Sequence, residues 1–248
     1  RLFKSAEFLD MELPLSKEAL CEAVAETVIR NRLQKGVIKL IGFYPEFAFE
    51  ILPPQKKLSV SIFAIDPEQD LGAFGIPFET GTTAYVSSWR KLDPRTVPIE
   101  AKAAANYLNG MVARAEAKKN GFEHAVMLDT NGFIAEGGTE SVFVVKDNCL
   151  MTAATGTVLK SITRMSILEA ARQTGVECIE EQLKPELLFE ADEMFVSSSP
   201  FKVLPVKQIN DHKLDNAPGP LTRKIAELLD AIAGGNDDRF KGWLYRVE

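Results

Sequence analysis

The chain has 248 residues, 46% of them hydrophobic and 26% charged, with 16 Gly and 13 Pro; this excludes a disordered or collagen-like polymer and fits one large domain or two smaller ones. Lys and Arg number 29 against 35 Asp and Glu, so a net charge of −6 argues against a protein built mainly to hold nucleic acid or an anionic membrane. Cys21, Cys149 and Cys178 are too few and too far apart for a disulfide framework or a Cys-rich metal site, which points to a reducing cytoplasm.

Ser16 is placed to cap a helix whose apolar positions include Ala19, Leu20, Ala23, Val24 and Val28, ending before Gly36. Val37–Phe43 and Leu58–Ile65 read as strands, and no apolar run reaches the 18 residues of a membrane span. Helix, strand, strand reads as the remainder of a small α/β domain over residues 1–70. Arg1 is not an initiator residue, so a front segment is expected to be missing. Asp66–Gly81, rich in Gly and Pro, is the candidate linker, narrowed to 71–81, and 82–248 reads as a larger second domain.

In that second part Thr83–Trp89 reads as a strand, Lys91–Pro98 as turns, and Ala101–Lys119 as an alanine-rich helix stopped by Gly121. Two hairpins follow, one turning at Thr130-Asn131-Gly132 and one at Asp147-Asn148. A helix over Thr163–Gln173, strands at Val176–Glu181, Glu193–Ser198 and Val203–Ile209, and a helix over Leu221–Ile232 complete the order. The hairpins exclude a simple βαβ repeat, so the fold class is mixed α/β, of the α+β kind.

There is no phosphate-cradling GxxxxGKS/T, no GxGxxG and no CxxC, and His124 and His212 are the only histidines. No metal site is expected. Lys102 stands out because it opens the alanine helix among side chains too small to cover it, with Tyr107 close by in sequence. Schiff-base chemistry needs such an amine on a flexible stem, although a lysine on the wet face of an ordinary helix has the same sequence. Glu136-Gly137-Gly138-Thr139-Glu140 follows a hairpin strand; its glycines permit close backbone approach to a flat ligand, and its first carboxylate suits a protonated ring nitrogen. A polar loop with a bulge reads the same way. Ser161-Ile162-Thr163-Arg164 sits where a helix begins, either as plain capping residues or as a phosphate seat. Ser197-Ser198-Ser199 adds further hydroxyls before Pro200.

An amine, a ring-nitrogen partner and a phosphate seat are the parts of a pyridoxal 5'-phosphate site. Lys102, Asn106-Tyr107-Leu108, Glu136-Gly137-Gly138, Glu140-Ser141-Val142-Phe143, Ile162-Thr163-Arg164 and the tail Gly242-Trp243-Leu244 together resemble the fold-type IV, or branched-chain-type, pyridoxal-phosphate aminotransferases. The resemblance covers nearly the whole chain. It implies a two-domain homodimer with the cofactor between the domains. It implies that Lys102 holds the cofactor and shuttles a proton, Glu136 meets the ring nitrogen, and Tyr107 meets the ring oxygen. Arg1, the amides of Ile162 and Thr163, and Ser199 would hold the phosphate, with Gly137 beside the ring.

Lys39 falls where some relatives carry an arginine for the distal carboxylate of glutamate. Ser199-Pro200 occupies the loop that lines the substrate carboxylate, where proline removes one donor amide. The reaction so implied moves the amino group of a branched-chain L-amino acid to 2-oxoglutarate. D-amino-acid aminotransferases and aminodeoxychorismate lyases share these motifs, and a non-catalytic cofactor-binding or protein-binding relative is the alternative of another class.

Overall fold

The computed structural model describes residues 1–70 and 77–247. The chain divides into two compact units, Arg1–Gly75 with Tyr245–Glu248, and Ile76–Leu244. The part of the predicted linker over 71–76 lies outside the described residues.

In the first unit the short helix α1 (Leu2–Phe8) precedes α2 (Lys17–Arg30), and α1 carries no predicted counterpart. Ser16 caps α2 as its sequence requires, its hydroxyl accepting from the Ala19 amide at 3.1 Å. Strands β1 (Val37–Phe43) and β2 (Ser59–Ile65) form an antiparallel pair in which Lys39 lies opposite Phe63. A single turn, α3 (Pro67–Asp70), follows where linker was expected: Asp66 accepts from the amides of Glu68 and Gln69 and so starts a turn locally.

The second unit holds, among the described residues, nine strands in one mixed sheet. They are β3 (Thr82–Val86), β4 (His124–Leu128), β5 (Ile134–Gly137), β6 (Ser141–Lys146), β7 (Cys149–Ala153), β8 (Cys178–Glu181), β9 (Glu193–Ser197), β10 (Leu204–Ile209) and β11 (His212–Lys213). The helices are α4 (Tyr107–Lys119), α5 (Ile162–Gln173), α6 (Leu187–Glu190) and α7 (Pro220–Ala233). Both predicted hairpins form, β4 with β5 and β6 with β7. At the second turn Asp147 and Asn148 have φ of 50° and 61°, the left-handed region these two residue types tolerate.

Six strands close on themselves. β10 pairs with β3, β3 with β4, β4 with β5, β5 with β6, β6 with β9, and β9 with β10. Alternation along each strand then separates two cores. Val126, Val142, Val144, Val196 and Val206 fill the inside of this ring. On its outer face Phe143 stacks on Phe195 at 4.8 Å between ring centres, and Ile167 of α5 with Leu221 and Ile225 of α7 covers them. Glu193, also on the outer face, accepts from the amides of Leu221 and Thr222 at 2.9 and 2.7 Å and so caps α7, which begins with Pro220 at its first position. No helix among the described residues is long and apolar enough to cross a membrane.

Candidate active site

The alanine-rich segment departs from its predicted helix. The α-helix begins only at Tyr107, and Ala104–Asn106 forms a single 3₁₀ turn, so Lys102 does not open a helix. Intrinsic propensity loses here to tertiary anchoring. Ile99 and Ala101 are buried, the Ala103 amide folds back onto the Ala101 carbonyl, and the Asn106 side chain reaches the same carbonyl at 3.4 Å. Lys102 is left exposed on an irregular segment, and its ammonium sits 5.2 Å from the centre of the Tyr107 ring. The lysine and the tyrosine singled out from sequence are thus neighbours.

Glu136 owes its direction to a defect in the sheet. Val126 pairs with Gly137 and Leu128 with Ile134, so two residues of β5, Ala135 and Glu136, stand opposite the single Met127. This bulge reverses the side-chain alternation and turns Glu136 from the inside of the ring to its outer face. Ala135 packs there against Ala153 and Val158. The Glu136 carboxylate is ion-paired through Oε1 with the Lys91 ammonium, both side chains being about nine-tenths buried, and its Oε2 accepts from the Leu159 amide at 3.2 Å. Lys91 has no signature in the sequence, because it lies in a turn-rich stretch with no periodicity; only the tertiary pairing identifies it.

The turn after Glu136 is clamped to α4. Glu140, fully buried, accepts from the Thr139 amide at 2.8 Å and from Arg114 of α4 at 3.0 Å, and it lies 3.2 Å from Nδ1 of His124. Burial pushes its carboxyl up, but the hydrogen bond and charge of His124, with the Thr139 amide and Arg114, outweigh this and hold it below the usual carboxylate range. His124 is therefore a buried structural partner, and His212 is exposed in β11.

The glycines serve the same clamp, since the close approach they permit is to protein. A Cβ on Gly137 would come within 2.8 Å of the Glu140 carboxylate, and one on Gly110 within 1.9 Å of the Gly138 carbonyl oxygen. Helical Gly→Ala changes usually stabilise by about 1 kcal/mol. Gly110→Ala should do the opposite, forcing α4 off the turn at a net cost of about 1–3 kcal/mol. A thermal midpoint at or above that of the parent would show that α4 and the turn do not need this close packing.

The helix start read either as plain capping or as a phosphate seat forms as a capped helix start. Ser161 caps α5, accepting from the Arg164 amide at 3.3 Å, which leaves the amides of Ile162 and Thr163 without intrahelical partners. The Thr163 hydroxyl lies 3.4 Å from that of Ser199, so the helix start and the turn after β9 come together. Pro200 is exposed on that turn. Arg164 serves the fold instead, donating to the Ala153 carbonyl and to Glu180 at 2.6 and 2.7 Å.

An open groove of about 350 Å³ runs beside Tyr107, Leu108, Met111, Arg114 and the Gly138-Thr139 turn, and its lining does not include Lys102, Glu136, Thr163 or Ser199. Arg1 and Lys39 belong to the first unit, Arg1 at the start of α1 and Lys39 exposed on β1. Among the described residues no three His, Cys, Asp or Glu side chains are grouped to hold a metal ion.

The chain belongs to the class IV aminotransferases: the family described as Amino-transferase class IV matches residues 1–209. Among curated relatives it is 33% identical to the branched-chain-amino-acid aminotransferase of Escherichia coli K12 over 250 residues, covering all of this chain and 80% of the relative. A probable branched-chain-amino-acid aminotransferase of Aquifex aeolicus is 31% identical, with 100% and 79% covered. The fold matches the crystal structure of a branched-chain aminotransferase from Thermoproteus uzoniensis with norvaline at a TM-score of 0.92 and 31% identity, covering 100% of this chain and 81% of that one. The pyridoxal-phosphate form of the enzyme from Thermobaculum terrenum matches at 0.91 and 26%, with 100% and 80% covered. The fold-type IV architecture expected from sequence is therefore present.

Proposed function

We propose that this chain is a pyridoxal-phosphate-dependent transaminase that moves the amino group of a branched-chain L-amino acid to 2-oxoglutarate. The observation that carries this reading is Glu136, a buried, ion-paired carboxylate turned by a bulge onto the face where α5 begins. The donor set suits the cofactor: an amine beside a phenol at Lys102 and Tyr107, a carboxylate for a protonated ring nitrogen, and amides with hydroxyls at Thr163 and Ser199 for a dianionic phosphate. When bound, the cofactor supplies an electron sink that makes the substrate Cα–H acidic.

The protein's part is binding, orientation and proton movement. Lys102 would hold the cofactor through its amine, and the same amine, on a flexible stem, would carry the proton taken from the substrate Cα. Glu136, held by Lys91 and the Leu159 amide, would favour the protonated form of the ring nitrogen. Tyr107 would meet the ring oxygen, and the Glu140 clamp sets the distance between the helix that carries Tyr107 and the strand that carries Glu136. The turn at Ser199 and Pro200 faces the substrate carboxylate with one amide donor fewer than a non-proline residue would provide.

The homodimer implied by the resemblance and the cytoplasmic location read from the cysteines belong to this proposal, the latter supported by three thiols free of disulfides. The roles of Arg1 at the phosphate and Lys39 at the distal carboxylate of glutamate rest on the resemblance alone. As a single point charge, Lys39 offers no bidentate fork. Lys39→Ala should raise KM for glutamate about 10-fold, the worth of one hydrogen bond to a charged group, and leave leucine nearly unchanged. Equal losses for both would remove Lys39 from the substrate site.

The decisive assay offers both enantiomers of alanine, leucine and glutamate with 2-oxoglutarate, and aminodeoxychorismate separately. L-Leucine, L-isoleucine and L-valine should all react, because an apolar pocket separates such homologues by only about 1–3 kcal/mol per methylene. Preference for D-alanine, or pyruvate release without amino transfer, would reassign the enzyme within its fold. Cofactor binding without any turnover would make it a non-catalytic relative.

A further inference from the structure

The Lys91 ammonium and the Glu136 carboxylate pair where each side chain keeps only 10% of its surface open. A buried pair of this kind seldom holds a fold better than apolar side chains of the same volume, so its presence calls for a reason. Lys91 also lies in an irregular stretch, with no helix or strand to direct it.

Three hydrogen bonds take the place of that missing element. The Lys91 amide donates to the carbonyl of Leu128, the last residue of β4, at 2.8 Å. On either side of Lys91, the Asn109 side chain of α4 donates to the Arg90 carbonyl at 2.9 Å and accepts from the Leu92 amide at 3.2 Å. One side-chain amide thus straps both neighbours of Lys91 to the helix that begins with Tyr107. The Asp93 carboxylate, two residues on, is committed to Arg95 and Thr130 at 2.7 and 2.6 Å, which leaves the ammonium to Glu136.

We propose that Lys91 is a positioning residue of the transaminase: strapped by Asn109, it holds Glu136 in place as an anion and so keeps the proton on the nitrogen of the cofactor ring. The inference rests on the reading that Glu136 meets that nitrogen. A proton between a carboxylate and a pyridine nitrogen stays on the nitrogen when the carboxylate is the better stabilised as an anion. A fixed ammonium against the carboxylate stabilises the anion, and the Leu159 amide, donating to Oε2 at 3.2 Å, acts in the same sense.

The test loads the full-length protein with pyridoxal 5'-phosphate isotope-labelled at the ring nitrogen, whose magnetic resonance separates the protonated from the neutral ring. The parent should give the protonated signal. Lys91→Met, which removes the charge and keeps an apolar stem, should move the signal toward the neutral form. It should also lower kcat about 10- to 100-fold, below the roughly 10²–10³-fold of a direct contact, with KM for leucine unchanged. Lys91→Arg, which keeps a cation, should return the signal to the protonated form. In the Glu136→Gln background Lys91→Met should cost no further rate, because its effect runs through Glu136. A parent-like signal in Lys91→Met, or an undiminished further loss of rate in the Glu136→Gln background, would overturn the assignment of Lys91 alone. A neutral signal in the parent, or a parent-like rate in Glu136→Gln itself, would overturn the reading of Glu136 and the inference with it. If Lys91→Met does not accumulate folded, Asn109→Ala, which keeps both charges and releases the strap, carries the comparison. It should move the signal in the same direction by less, and a parent-like signal there would overturn the assignment.

Discussion

Lys102→Ala should abolish amino transfer, by at least about 10⁴-fold in kcat, in a protein that still folds. Two functions vanish together, the covalent hold on the cofactor and the proton shuttle, and positioned acid–base catalysis alone contributes about 10²–10⁴-fold. The fold should tolerate the change because Lys102 is exposed and outside any helix, and the attraction of its ammonium to the Tyr107 ring is worth only about 0.5–1 kcal/mol at an exposed position. Borohydride reduction of the parent in the presence of cofactor, followed by peptide mass analysis, should place the added mass on the peptide containing Lys102. Added mass on any other lysine would move the catalytic amine elsewhere.

The second large effect is expected at Glu136. Glu136→Gln preserves size but replaces the anion by an amide, which leaves the nine-tenths-buried Lys91 ammonium without a counter-charge and the ring nitrogen without a partner that favours its protonated form. A missing electrostatic interaction of this kind costs about 10²–10³-fold in kcat. Cofactor should remain bound through Lys102 and the phosphate, so absorbance measures occupancy while steady-state rates measure the loss. Turnover close to that of the parent at full occupancy would show that Glu136 is not the ring-nitrogen partner.

Much of the fold was legible from local chemistry. Ser16 and Ser161 cap the helices they precede, and Asp147-Asn148 adopts the left-handed turn its residue types favour. What escaped was non-local. Alanine after alanine reads as helix from 101 onward, yet the burial of Ile99 and Ala101 draws that stretch into tight turns up to Tyr107. The strand predicted to run to Trp89 ends at Val86, where the Ser87 and Ser88 hydroxyls turn to Glu116 on α4. Glu136 was identified by its neighbours in sequence, but its direction depends on the register of β5 against β4, and its pairing with Lys91 joins two distant parts of the chain. The two glycines after it read as room for a ligand and are occupied by Glu140 and Gly110.

The closure of the strand ring also sets a timetable for the growing polypeptide. Val86 donates to the Asn210 side chain, 124 residues further on, and β3 lacks one of its two neighbours until β10 has been made. At about 5–20 residues per second, synthesis of that interval takes roughly 6–25 s, during which the open side of β3 presents unpaired amides and carbonyls to any other strand nearby. A chain halted before β10 therefore keeps one side of β3 open, and the ring can close only once residue 209 has been made.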